Sequence, residues 1–217
     1  MKIIRKLIAV PLVFVLLHVL AAEPTEQSVS PDAALATLNE GNKRFVDAKM
    51  SSSKPTAERR AATAQSQHPF AIIVGCADSR TSPEIIFDQN IGDLFVIRDA
   101  GNLVDDYELG SIEYAVEHVG TRLIVVLGHA RCGAVQAALE AATAPGHVAA
   151  IVRDIQPAVQ AAKDKPGDLL VNAIHENARE VADKIRKKLQ VGDLASQVKV
   201  VSGYYDLDTG KVEWDKQ

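Results

Sequence analysis

Three unbroken apolar runs mark the middle of the chain: Phe70 to Gly75, Leu94 to Ile97 and Leu123 to Leu127. They are rich in β-branched residues and lack the polar alternation of a half-exposed sheet, so they predict strands buried on both faces, as in a parallel sheet. Between the second and third, Leu109, Ile112, Ala115, Val116 and Val119 fall on one helical face. Strand, helix, strand alternation predicts an α/β fold whose central, mostly parallel β-sheet is flanked by helices.

The flanks follow other periods. Ser30-Pro31-Asp32 has the N-cap and first-turn proline of a helix start, and Leu35, Leu38, Phe45 and Val46 continue it toward Met50. After a polar break at Ser51 to Pro55, alanine-rich Thr56 to Ser66 predicts a second short helix, completing an N-terminal helical arm. Beyond Cys132 the pattern is helical again over Ala134 to Ala142, His147 to Ala162 and Leu169 to Leu189. Val198 to Val201 reads as a strand, and Asp208-Thr209-Gly210 as a turn into Lys211 to Trp214, which predicts a C-terminal β-hairpin. With no internal repeat or low-complexity linker, residues 23–217 are expected to form a single domain.

The first 22 residues stand apart. Lys2, Arg5 and Lys6 precede an apolar run from Leu7 to Leu20, then Ala21, Ala22 and a polar stretch. A charged start, a short apolar core and a small-residue exit make a secretory signal peptide. The run falls short of the ~20 residues of a spanning helix and contains Pro11 and His18. The expectation is therefore cleavage after Ala21 or Ala22, no stable membrane anchor, and a periplasmic or secreted chain.

Composition narrows the function classes. At 217 residues, 47% hydrophobic and 24% charged, the chain can bury a substantial core, and a net charge of -4 leaves no basic footprint for nucleic acid. The two cysteines, Cys76 and Cys132, carry the candidate chemistry. In an oxidising compartment one reading is a disulfide between them. The other is a metal site. Cys76 follows the first strand and His129 follows the third with one glycine between, so both stand at strand carboxyl ends, where open parallel sheets bind ligands. Cys132 comes three residues later, at a helix N-terminus that favours a thiolate. Two cysteines and one histidine suit zinc, and three protein ligands leave a fourth position open. His68, His118, His147 and His175 receive no role.

Cys76-Ala77-Asp78-Ser79-Arg80 resembles the first metal motif of β-class carbonic anhydrases, and Gly128-His129-Ala130-Arg131-Cys132-Gly133-Ala134 resembles the second. Gly92 to Asn102, Ile112 to Ala115 and Gly203 to Asp206 extend the similarity, which spans Ser30 to Trp214. The resemblance implies one Zn2+ per chain, reversible hydration of carbon dioxide to bicarbonate, and a gate in which Asp78 either ligates the zinc or is held away by Arg80. It also implies that Gln67 and the Gly133 N-H contact bicarbonate. Phe95 and Tyr114 would line an apolar pocket at a dimer interface and, with Gln67, serve the partner's zinc in a homodimer or larger homo-oligomer. Gln67 lies nine positions before Cys76, as in the plant-like subtype. Ile73 replaces the tryptophan of the bicarbonate-sensitive subtype, and Asp99 stands where asparagine is commoner. Hydrolysis of carbon disulfide or carbonyl sulfide on the same scaffold remains an alternative, as does a noncatalytic secreted binding protein stabilised by zinc or a disulfide.

Overall fold

The computed structural model describes residues 29–51 and 56–216. The expected signal peptide, 1–22, lies outside them. Among the described residues, no helix is long and apolar enough to cross a membrane.

The chain runs α1 (Pro31–Val46), α2 (Ala57–Thr63), β1 (Ala71–Cys76), α3 (Pro83–Ile86), β2 (Leu94–Asp99), α4 (Asp106–Glu117), β3 (Leu123–His129), α5 (Gly133–Glu140), α6 (Val148–Ala162), α7 (Leu169–Lys188), a 3-10 turn (Gly192–Gln197), β4 (Lys199–Tyr205) and β5 (Val212–Trp214). Ser30 caps α1, its Oγ accepting from the Ala33 N-H at 3.3 Å, with Pro31 in the first turn. Asp168 caps α7 through the Val171 N-H at 2.9 Å. Both helix starts follow from a short polar side chain satisfying an otherwise orphaned donor. Helix α1 stops at Val46 rather than near Met50, because Ala48 takes a left-handed φ of 54°.

The five strands lie in the order β2-β1-β3-β4-β5, the first four parallel and β5 antiparallel to β4. All residues of β1 and β3 are buried, as their unbroken apolar runs predict, whereas β2 is an edge strand and only half-buried. Alternate side chains serve opposite faces. Ile72, Val74, Ile124, Val126 and Val200 pack with Ile112 and Val116 of α4 and Ala178, Val181 and Ile185 of α7. Ala71, Ile73, Leu123, Val125 and Leu127 pack with Ala34 and Leu38 of α1 and Ile86 and Phe87 at α3. A third cluster joins Cys76 and Cys132 to Val135, Ile155 and Ile174 on α5, α6 and α7.

This topology dictates where a site forms. The chain leaves β1 toward β2 on one side and leaves β3 toward β4 on the other. The carboxyl ends of the adjacent β1 and β3 thus border the crevice where strand order reverses, the usual ligand position in open α/β sheets. Cys76 ends β1 and His129 ends β3.

Candidate metal centre

The two strands carry their ligands further into the sheet than local pattern suggests: both Cys76 and His129 are the last residues of their strands, not the first after them. Cys132 is the N-cap of α5, reached through Arg131, whose left-handed φ of 53° turns the chain back. The result is convergence. The Sγ atoms of Cys76 and Cys132 and a ring nitrogen of His129 lie within 4.8 Å of one another, and the three residues are only 6%, 1% and 1% exposed. Both cysteines are free thiols.

The histidine tests whether this cluster suits a metal. Its Nδ1 lies 3.0 Å from the Ala130 carbonyl oxygen, which fixes the ring. Its Nε2 is buried with no hydrogen-bond partner among the described residues. A buried, unpaired ring nitrogen costs about 1–3 kcal/mol unless something satisfies it. A cation ligated by Nε2 and two sulfurs does so, and the second contact on Nδ1 is the arrangement that orients metal-bound histidines. The residues fit zinc.

The thiols are electrostatically unequal. Cys76 is held well below its ordinary pKa, first by a hydrogen bond from Cys132 and then by His129 and the Gly101 N-H, against the opposing effect of burial. Cys132 is pushed up by that same sulfur contact and by burial, while the first-turn amides of Ala134 and Val135 pull it down. Of the two, Cys76 is the thiol that these contacts favour as thiolate.

Asp78 and Arg80 form the predicted pair. The Arg80 Nε and Nη2 donate to the two carboxylate oxygens at 2.9 and 2.7 Å, and the Arg80 backbone N-H donates to Asp78 Oδ1 at 3.0 Å. These contacts, the guanidinium first, hold the carboxyl well below the usual carboxylate range. Even so, Asp78 Oδ2 remains 4.0 Å from His129 Nε2. The carboxylate is thus turned onto arginine yet stays beside the metal position.

A family model described as carbonic anhydrase matches residues 71–212. Carbonic anhydrase 2 of Mycobacterium tuberculosis is 40% identical over 195 residues, which covers 85% of this chain and 92% of that protein. The carbonic anhydrase of Mycolicibacterium smegmatis is 40% identical over 192 residues, covering 85% and 93%. Among solved structures, the Coccomyxa β-carbonic anhydrase in complex with acetazolamide superposes with a TM-score of 0.67 at 28% identity, over 83% of this chain and 85% of that one. The chain belongs to the β-class carbonic anhydrases.

Within this carbonic anhydrase the remaining predicted positions divide. Gly133 opens α5, so its N-H belongs to the helix's first-turn donors, which lack intrahelical partners and face the metal end. Phe95, Tyr114 and Gln67 do not join the ligands of their own chain. Phe95 pairs in register with Ile72 while Cys76 pairs with Asp99, which separates the two levels by about 13 Å along the strand. Tyr114 is 48% exposed on α4, its ring centroid 5.2 Å from that of His118, and Gln67 is exposed ahead of β1.

Sequence reasoning gave no role to Arg98. From β2 its Nε donates to the Cys76 carbonyl at 2.8 Å and its Nη2 to the Asp78 carbonyl at 2.6 Å, while Thr81 Oγ1 donates to the same two carbonyls at 3.2 and 2.9 Å. Together they clamp the loop that carries Asp78 and Arg80. The neighbouring Asp99 is pushed up to about 7, chiefly by burial, with its Leu103 hydrogen bond opposing and the charges of Glu108 and Cys76 adding.

Proposed function

We propose that the protein is a zinc enzyme that interconverts carbon dioxide and bicarbonate, with Cys76, His129 and Cys132 as ligands and Asp78 and Arg80 as the gate of the fourth position. The observation that carries this reading is the orphaned, buried His129 Nε2 facing two free thiols, with an ionised carboxylate parked on arginine 4.0 Å away. When bound, zinc supplies Lewis acidity that makes water acidic near neutral pH.

The chain's own residues account for the rest. Arg80 keeps both Asp78 oxygens occupied by a fork of two N-H donors, so the carboxylate does not compete for the open position. From there Asp78 Oδ2 accepts a hydrogen bond from the attacking water and aims its oxygen lone pair at the carbon of carbon dioxide. The carbon-oxygen bond forms, the water's proton leaves to buffer, and the bicarbonate anion is favoured by the first-turn amides of α5, Gly133 among them. Phe95, Tyr114 and Gln67 act on the partner subunit's site in a homodimer or larger homo-oligomer. A structural relative from Sordaria macrospora is tetrameric. Working after export rests on the Lys2 to Ala22 pattern, and fractionation of cells with detection of the mature N-terminus tests it.

The deciding experiment is stopped-flow carbon dioxide hydration by the mature protein, with zinc counted per chain. The expected outcome is close to one zinc per chain and a rate that falls about 100-fold in Asp78→Asn. Stoichiometric zinc without hydration sinks the reading. Faster turnover of carbon disulfide or carbonyl sulfide, assayed in parallel, overturns the substrate assignment.

A further inference from the structure

Where β2 leaves the sheet, the backbone folds into a tight turn over residues 99–103. Leu103 N-H donates to Asp99 Oδ1 at 2.7 Å, and Ala77 N-H donates to the Asp99 carbonyl at 2.7 Å. Two successive residues in it are left-handed, Gly101 with φ of 87° and Asn102 with φ of 47°. Glycine and asparagine are the residues that take this conformation most readily, so both suit the turn. A Cβ at 101 would also be crowded, 3.0 Å from Ile155 Cδ1 and 3.3 Å from Ala134 Cβ, on a backbone whose φ already favours glycine.

The turn aims one donor at the metal cluster. The Gly101 N-H points at Cys76 Sγ, with nitrogen and sulfur 3.4 Å apart. On the other side of the same residue, the Gly101 carbonyl accepts from Nδ2 of Asn177 at 2.8 Å. Asn177 is 2% exposed on α7, between Ile174, Ala178 and Val181 of the helix's apolar stripe. A primary amide on such a face is unfavourable unless hydrogen-bonded, so its presence calls for a structural reason. The reason lies on its partner: the Gly101 N-H and carbonyl belong to successive peptide planes that meet at a freely rotating glycine Cα, so anchoring the carbonyl plane restrains the rotation that would swing the N-H off Cys76.

We infer that Asn177 is a positioning residue of the metal centre, which by gripping the Gly101 carbonyl keeps the Gly101 N-H on the Cys76 thiolate and so tightens the hold on the metal. This rests on the zinc reading above. The link runs from α7 through a single backbone residue to a ligand sulfur, with no contact between Asn177 and substrate. A hydrogen bond to a ligating thiolate orients it and balances its charge, and loss of such outer contacts typically weakens metal binding about 10–100-fold.

Asn177→Leu is the informative variant, because leucine branches at the same atom with the same number of side-chain heavy atoms, removes the amide and continues the apolar stripe. Asn177→Ala is its companion should leucine be accommodated poorly. The purified full chain, wild type and variants, is loaded with zinc and the dissociation constant measured by competition with a chromogenic chelator. The cobalt-substituted forms are compared by their sulfur-to-metal charge-transfer absorption. The expected result is a zinc dissociation constant raised about 10–100-fold, with a shifted charge-transfer band, in protein whose circular dichroism is native. Wild-type zinc affinity and an unmoved band in a folded variant would overturn the assignment and leave Asn177 with a packing role alone. Failure of the wild type to bind zinc at all removes the zinc reading, and this inference with it.

Discussion

Arg80→Ala separates the gate from the metal site. Wild-type Arg80 makes two charge-assisted side-chain hydrogen bonds to Asp78, at 2.9 and 2.7 Å, but its side chain is 50% exposed while that of Asp78 is 17% exposed. Fully exposed pairs contribute about 0.2–1 kcal/mol, and a bidentate, half-shielded fork more, so about 1–2 kcal/mol is a fair magnitude. The backbone contact from the Arg80 N-H at 3.0 Å survives the truncation. Removing 1–2 kcal/mol from the parked arrangement lowers its population relative to the competing one by about 5–30-fold. The carboxylate, released 4.0 Å from His129 Nε2, then competes for the fourth position.

The pH dependence distinguishes this from simple damage. In the wild type Arg80 holds the Asp78 carboxyl well below the usual carboxylate range, so Asp78 is ionised throughout neutral pH. Without Arg80 its pKa moves back up toward the ordinary value of about 3.9, and it is still ionised above about pH 6. Protonation of Asp78 therefore cannot cause a loss at neutral pH. Its competitor, hydroxide, gains tenfold per pH unit while the carboxylate gains nothing. The expected profile, from stopped-flow hydration with zinc counted at each point, is a loss of kcat/KM near pH 7, at most about 30-fold, that shrinks as pH rises. A loss constant from pH 7 to 9, with zinc retained, would falsify the gate and leave Arg80 with substrate binding alone.

Other perturbations test other parts of the molecule. Gly41→Ala places a Cβ 1.8 Å from the Phe87 carbonyl oxygen, where α1 crosses the α3 turn, and urea denaturation should show a loss of about 3 kcal/mol; wild-type stability would mean α1 does not dock as described. Asp215, buried at 3% side-chain exposure, accepts from His175 Nδ1 (2.7 Å), Arg179 Nη2 (2.9 Å) and Ser202 Oγ (2.7 Å). Burial raises its pKa, but these contacts outweigh it and leave the group lowered. A lowered folded pKa contributes stability above the unfolded value of about 3.9 that is lost as pH falls below it. Asp215→Asn should therefore lose about 3 kcal/mol at pH 7 and lose less than the wild type on acidification from pH 5 to 2; equal acid sensitivity of the two refutes it. Chelation of the metal at a free concentration 1,000 times its dissociation constant should remove about 4 kcal/mol from the folded state, read as a lower Tm, and an unchanged Tm would argue against a tightly held ion.

How much of this was legible in the sequence depends on where each cause lies. The strands at Ala71–Cys76 and Leu123–His129 were legible because burial on both faces leaves an unbroken apolar run, a purely local signature. The places of Cys76, His129 and Cys132 were legible for the same reason, since two of them end such strands and the third stands at a helix start. Helix α3 was not, because four residues opening on Pro83 leave no period to read. Strand order was not, because nothing in β1 itself says that β2 and β3 take its two edges.

The site divides along the same line. Asp78 and Arg80 are two residues apart, so their pairing belongs to one loop and could be read from a motif. The residues that brace the site come from elsewhere: Arg98 donates across 20 residues to the Asp78 carbonyl of that loop, and Asn177 across 76 to Gly101 in the turn beside Cys76. In a pattern of apolar periods, Asn177 appears only as a polar interruption of a buried stripe between Ile174 and Val181. That interruption is the signal that was available. A buried amide in an apolar face demands a partner, and asking which backbone group it satisfies leads from α7 to Gly101 and from there to the sulfur of Cys76.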